Sequence, residues 1–173
     1  MQRLGALEGI TVLDLTRVLA GPFSSMMMAD MGANVIKIEE AGKGADCRQM
    51  GPFKNGESAY YMNLNRNKKG MTLNLKSPKG KQIFKDLVKK ADVVLENYRP
   101  GTMAKLGLGY DVLKEINPGI IYAAVSGFGQ YGPYTKRPGY DIISQAMSGL
   151  MSTTGWPGGD PTRSGTAMGD VLG

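Results

Sequence analysis

At 173 residues, with 42% hydrophobic and 21% charged side chains, the chain has the size and balance of one folded domain and is not a disordered polymer. Its 21 Lys and Arg against 15 Asp and Glu leave a charge of +6, which favours an anionic partner without choosing among phosphate, nucleic acid and membrane surface. With 0 His and 1 Cys it has no intrachain disulfide, no paired metal-ligand spacing and no Ser-His or Cys-His catalytic pair.

The segment from Met1 to Gly9 lacks the apolar stretch of a signal peptide, and no run reaches the ~20 apolar residues of a membrane span, so a cytoplasmic protein without a membrane partner is expected. Ile10 to Leu15 reads as a short β-branched strand. Pro22 suits the first turn of the helix that follows, carried by Phe23 to Met31 and ended by Gly32. Asn34 to Glu39 is a second strand, so 10–39 forms a strand-helix-strand unit of the kind that builds a parallel sheet. A polar crossing from Ala41 to Lys69 leads to a strand at Met71 to Leu75. Ser77-Pro78 then opens an amphipathic helix with Ile83, Phe84, Leu87 and Val88 on one face and lysines on the other.

Val93 to Glu96 is the next strand, followed by short helices near Met103 and over Tyr110 to Ile116. Ile120 to Val125 is apolar enough for a central parallel strand. A loop rich in Gly, Pro and aromatics, Ser126 to Tyr134, precedes a helix over Tyr140 to Met151, and a second loop ends at Asp170, where another helix is expected to begin. No internal repeat or flexible linker divides the chain.

Three places on this frame carry chemistry. The turn from Thr16 to Pro22 lacks the GxGxxG dinucleotide fingerprint, yet it lies at the carboxyl edge of the sheet, where helix N-termini meet phosphates. Asn97-Tyr98-Arg99-Pro100-Gly101 reaches the same edge, with an amide, an aromatic ring and a guanidinium that suit a nucleotide-bearing ligand and equally suit a closed surface turn. Asp170 follows Gly169, whose missing side chain would open a path to an acyl carbon and leave backbone N–H groups for an oxyanion. By spacing alone Asp170 reads first as a helix N-cap, a role compatible with an ionised nucleophile. Cys47, between Asp46 and Arg48, reads as a bystander, and most lysines between Lys68 and Lys90 read as a solvated helix face.

Taken in order, Val12 to Leu15, Ala20-Gly21-Pro22, Gly32 to Glu39, Asn65 to Lys69, Ala91 to Asn97, Pro100-Gly101, Ser126 to Pro133, Gly139-Tyr140-Asp141 and Gly169-Asp170 resemble the amino-terminal part of class III coenzyme A transferases, the formyl-CoA and carnitine-CoA transferase family. The resemblance also takes in Leu4 to Gly9 and so runs almost end to end. It implies a Rossmann-like α/β fold with a mostly parallel sheet flanked by helices. On this view 1–173 is the first part of a large CoA-binding domain whose remainder is missing, and the full-length protein is a homodimer of interlocked subunits. It further implies Asp170 as nucleophile, coenzyme A or acyl-CoA as substrate with no tightly bound cofactor or metal, and a carboxylic acid as acceptor. By position, Leu19 and Ala20 would line the CoA site. Leu73, Asn74, Leu75, Lys76, Asn97, Tyr98, Arg99, Lys105, Arg137, Pro138, Gly139 and Tyr140 would complete it.

Two departures bear on the substrate. Glu40 stands where the formyl-CoA branch has arginine, and Leu19 where it has glutamine, which weighs against oxalate. α-Methylacyl-CoA racemases share the resemblance but use the histidine of a Gly-His-Asp motif as a base. Here Tyr140 takes that place, and a phenol with a reference pKa of ~10 is a poor base near neutrality, so racemase is the second reading. A CoA-binding fragment without catalysis is the third, and the chain as given is expected not to transfer CoA alone. No RNA- or DNA-binding motif supports nucleic acid as a partner.

Overall fold

The computed structural model describes residues 5–172, so Leu4 in the first matched motif and the final Gly173 lie outside it. β1 (Thr11–Asp14), α1 (Ala20–Asp30) and β2 (Asn34–Glu39) form the expected crossover unit, with Pro22 inside the first turn of α1. The polar crossing holds structure that was not foreseen: a hairpin of β3 (Phe53–Lys54) and β4 (Glu57–Ser58), then α2 (Ala59–Leu64). Both have local causes. Asn55 and Gly56 at the tip take positive φ of 52° and 81°, as a two-residue hairpin turn requires, and Ser58 caps α2 by accepting the Tyr61 N–H at 3.0 Å.

β5 (Lys69–Thr72) starts two residues earlier than expected and ends before Leu73. The Leu73 N–H still donates to the Glu39 carbonyl at 2.9 Å, and Leu73 and Leu75 pack on the core, so the apolar alternation outlasts the strand. α3 (Pro78–Val88) has Ser77 as its cap, with its hydroxyl accepting the Gly80 N–H at 3.0 Å. β6 (Val93–Glu96), α4 (Thr102–Lys105) and α5 (Tyr110–Ile116) follow as read, but β7 (Ile121–Ala124) is parallel at the edge of the sheet and not central, with Ile121 exposed, so its apolar run does not reflect burial on both faces. α6 (Asp141–Met147) is shorter than expected and passes through Gly149, with φ of 84°, into a 3-10 turn over Leu150–Thr153. α7 (Met168–Leu172) begins two residues before Asp170.

The five strands outside the β3–β4 hairpin make one parallel sheet in the order β5-β2-β1-β6-β7. Alternate side chains feed two cores. Leu13, Leu15, Ile38 and Val94 meet Phe84 and Val88 of α3 and Leu113 of α5 on one face, while Val12, Val35, Val93 and Leu95 meet Ala29 of α1 on the other. Helices on both faces bury the inner strands β1, β2 and β6, which is why these read as apolar runs, while the edge strand β5 stays largely exposed and β7 partly so. The chain winds outward in opposite directions from β1 and β6, so a crevice opens beyond their carboxyl ends, the position at which doubly wound sheets hold ligands. No helix among the described residues is long and apolar enough to cross a membrane.

Candidate active site

That crevice is a cavity of about 1030 Å³, at the upper end of small-molecule sites. The β1–α1 turn lines it with Arg17, Val18, Leu19 and Ala20, the segment after β6 with Asn97, Tyr98 and Arg99, and the segment before α6 with Arg137, Pro138, Gly139 and Tyr140. Asp170 lines it from α7. The first two of these segments were expected at one sheet edge, and Arg137 to Tyr140 and Asp170 converge there with them.

The loop after β7 returns because two glycines touch. A Cβ on Gly127 would lie 2.3 Å from the Gly139 Cα, and the reverse contact is equally short, so neither position accepts a side chain. This crossing closes the intervening loop and brings Arg137 and Tyr140 back to the sheet edge. The Arg137 guanidinium lies 4.0 Å from the Tyr134 ring centroid, in cation–π range.

Asn97 and Tyr98 act differently from a simple ligand-facing pair. The Asn97 amide accepts the Arg17 N–H at 2.7 Å and donates to the Arg17 carbonyl at 2.7 Å, tying together the two loops at the crevice. The Arg17 guanidinium covers the Tyr98 ring at 4.9 Å from its centroid. Arg17, missed in the sequence, also lies 3.7 Å from Asp46 and 4.0 Å from Glu40. Its signal was its place, three residues after the end of β1.

Leu73, Asn74, Leu75, Lys76 and Lys105 are not part of the cavity lining. Leu73 and Leu75 are partly buried against the core, and Lys105 is exposed on α4, in the same short helix as the lining residue Thr102. The Lys76 ammonium lies 3.8 Å from Glu40, so a chain of charges connects it to Arg17 at the cavity.

Beneath the crevice lies a buried ionic cluster that the sequence reading missed. Asp14, at the end of β1 and 0% exposed, faces Lys37 of β2 at 3.5 Å and Lys68 at 3.1 Å. It also accepts the Ser25 hydroxyl at 2.7 Å and the Thr16 N–H at 2.8 Å. Burial opposes ionisation of Asp14, but the two ammonium groups and these hydrogen bonds outweigh it and hold the carboxyl below its usual range. Burial brings Lys68 down to about 8, although Asp14 pulls it the other way. Lys68 therefore departs from the solvated face assigned to its neighbours, and it ties the Pro22 carbonyl of α1 at 3.0 Å to Asn65 at 3.1 Å. The available signal was opposite charges within apolar strands, since Asp14 and Lys37 are register partners. Cys47 is fully buried and its thiol is pushed up by burial, as befits an unreactive residue.

Asp170 is the third residue of α7 and does not cap it. Gly169 is also used differently from the expectation, because its N–H donates to Asp141 Oδ1 at 2.8 Å and is not left for an oxyanion. A Cβ there would lie 2.7 Å from the Ser144 Cβ, so the glycine lets α7 close on α6. Asp170 itself is half-buried, and desolvation, followed by the charge of Asp141, pushes its carboxyl above the usual carboxylate range. A partly desolvated, more basic carboxylate in an open cavity has the properties of a nucleophile.

A family model described as CoA-transferase family III matches residues 7–173. The chain belongs to that family. It is 51% identical over 172 residues to human succinyl-CoA:glutarate CoA-transferase, covering 99% of this chain and 39% of the human protein. To the acetyl-CoA:oxalate CoA-transferase of Acetobacter aceti it is 49% identical over 170 residues, covering 98% of this chain and 44% of that one. Among solved structures, a CAIB/BAIF family protein from Brucella suis superposes with a TM-score of 0.91 at 40% identity, over 98% of this chain and 46% of that chain. This CoA-transferase family III chain thus spans less than half the length of these relatives.

Proposed function

We propose that the polypeptide carrying these residues transfers coenzyme A from an acyl-CoA to a carboxylic acid, with Asp170 as the nucleophile. The observation that carries this reading is Asp170 itself: a half-buried carboxylate of raised pKa in the cavity at the switch point of the sheet, within a member of CoA-transferase family III.

In this reaction an Asp170 oxygen attacks the donor thioester carbonyl, the C–S bond breaks, and CoA leaves as thiolate from a mixed anhydride. The thiolate attacks the Asp170 carbonyl carbon, expels the donor acid as carboxylate and leaves an aspartyl-CoA thioester. The acceptor carboxylate then attacks that carbonyl, CoA departs, and the thiolate finally takes the acyl group from the second anhydride, restoring Asp170. Thioester energy is conserved throughout, provided water is excluded from the anhydrides.

Arg17, Arg99 and Arg137 supply the positive lining for the phosphates of CoA, while Leu19, Ala20, Pro138 and Gly139 offer apolar or backbone surface to its less polar arm. Lys76 and Lys105, off the cavity, are assigned to its outer, phosphate-bearing end, with Leu73 to Leu75 supporting Lys76. The named relatives are more than twice as long as these 173 residues, which are therefore expected to show no turnover alone. Succinyl-CoA with glutarate is the first pair to assay, because relatives from human and mouse are named for it.

The test is to incubate the complete polypeptide with acyl-CoA and trap with hydroxylamine or borohydride. A covalent mark on Asp170 is expected, and turnover that survives Asp170→Ala would overturn the assignment.

A further inference from the structure

Asp141 opens α6 and is 8% exposed, yet its carboxylate serves a segment more than twenty residues further along the chain. Oδ1 accepts the Gly169 N–H at 2.8 Å, and Oδ2 accepts from Arg163 Nη2 at 3.0 Å and Nε at 3.2 Å. Gln145, one turn on and fully buried, donates from Nε2 to both Asp141 oxygens at 3.0 and 2.9 Å and to the Thr166 carbonyl at 3.2 Å. Its Oε1 accepts the Ser164 N–H at 2.9 Å. One pair of side chains on α6 therefore grips the segment that delivers Asp170 at Arg163, Ser164, Thr166 and Gly169.

We propose that Asp141 is a positioning residue for Asp170: by holding the Gly169 N–H it fixes where the next residue's carboxylate stands in the cavity. This deepens the proposed function and rests on Asp170 being the nucleophile. The geometry is specific because Gly169 lies against α6 with no room for a side chain, so its peptide and the helix move together. A carboxylate only 8% exposed and bonded by four donor atoms meets little competition from water, which makes the grip stiff.

The same contact sets reactivity. Burial opposes ionisation of Asp141, but hydrogen bonds from Gln145, Arg163 and Gly169 prevail and keep it charged. Its negative charge adds to burial in raising Asp170, and Arg163 is paired with that same carboxylate. The other titratable or charged groups lining the cavity with Asp170 are Arg17, Asp46, Tyr98, Arg99, Arg137 and Tyr140, and Tyr60 of α2 feels the Asp170 charge. α1, which also packs on α7, carries only Asp30, at its last residue and paired with Arg66.

The complete polypeptide is mixed with succinyl-CoA, and single-turnover formation of the hydroxylamine-sensitive adduct is followed against pH, with melting curves to establish folding. Asp141→Asn is expected to lower the plateau rate about tenfold and move the acid limb down by about one pH unit, because a like charge is removed. Arg163→Gln is expected to move the acid limb up, with a smaller loss of plateau rate. A merely structural role lowers rates and moves neither limb. The proposal is overturned if folded Asp141→Asn keeps the wild-type plateau and limb, or if both variants shift the limb the same way. Should Asp141→Asn not fold, Arg163→Gln decides, and an unmoved or lowered limb overturns the proposal. Adduct formation by Asp170→Ala overturns the nucleophile as well, an outcome distinct from either.

Discussion

Asp14 and Asp170 stand at the same edge of the sheet and have opposite electrostatic fates. Asp14 is sealed between two ammonium groups, and the cations overcome its burial, leaving a carboxylate locked in its ionised form. Asp170 is only half-buried, has no cation bonded to it among the described residues, and has another carboxylate behind it. Deep burial with compensating charge makes a rivet, and partial burial without it leaves a carboxyl that is harder to ionise, the property the proposed nucleophile needs. The first holds the β1–α1 turn in place, and the second uses the cavity that this turn helps to line.

Exchanging the two by mutation separates these roles. Asp170→Ala in the complete polypeptide is expected to reduce kcat roughly a thousandfold or more with the fold retained, measured by steady-state transfer and circular dichroism. Asp14→Ala should do the reverse, destabilising the protein by about 3–5 kcal/mol in urea unfolding, because it leaves two buried lysines without their counter-charge. Unchanged stability in that variant would show that the cluster is not a rivet.

The pH dependence should also differ in sign. The folded Asp14 pKa is depressed, so its contribution to stability is present above its unfolded value of ~3.9 and lost as pH falls through the folded value. The folded Asp170 pKa is raised, so its contribution is complete below the unfolded value and lost as pH rises through the folded one. Asp170→Asn is accordingly expected to raise Tm at pH 7, with a gain that shrinks below about pH 4. A Tm that is lower at pH 7 would contradict the picture of a carboxylate strained for function.

Smaller effects should grade with distance from the cavity. Arg17→Ala is expected to raise KM for acyl-CoA about tenfold, since it removes a lining cation and uncovers Tyr98. Lys76→Ala and Lys105→Ala should each change KM only about twofold, more at low salt, as exposed charges do. Equal losses at all three positions would place the ligand further from the sheet edge than proposed.

The strands and helices that bury apolar faces were legible because burial on both sides of a parallel sheet imposes a visible pattern on Val12 to Leu15, Asn34 to Glu39 and Val93 to Glu96. The strand at Met71 to Leu75 was displaced because Leu73 and Leu75 serve the core from a loop, which periodicity cannot distinguish from a strand. The hairpin at Asn55-Gly56 and the cap at Ser58 had readable turn chemistry and were overlooked within a polar stretch. Of the site, Leu19, Ala20, Asn97 to Arg99, Arg137 to Tyr140 and Asp170 were brought together, while Leu73 to Lys76 and Lys105 were left outside the lining.

The sequence by itself determined the alternation of strands and helices, the edge at which a ligand would sit and, through ordered motifs, the family; each depends on local pattern. Only the tertiary structure decided that Asp14 is sealed between two ammonium groups while the Asp170 carboxyl is raised in an open cavity, that Gly169 gives its N–H to Asp141, and that Arg17 covers Tyr98. Those outcomes depend on distance and solvent exclusion between residues far apart in the chain, and a linear pattern carries neither quantity.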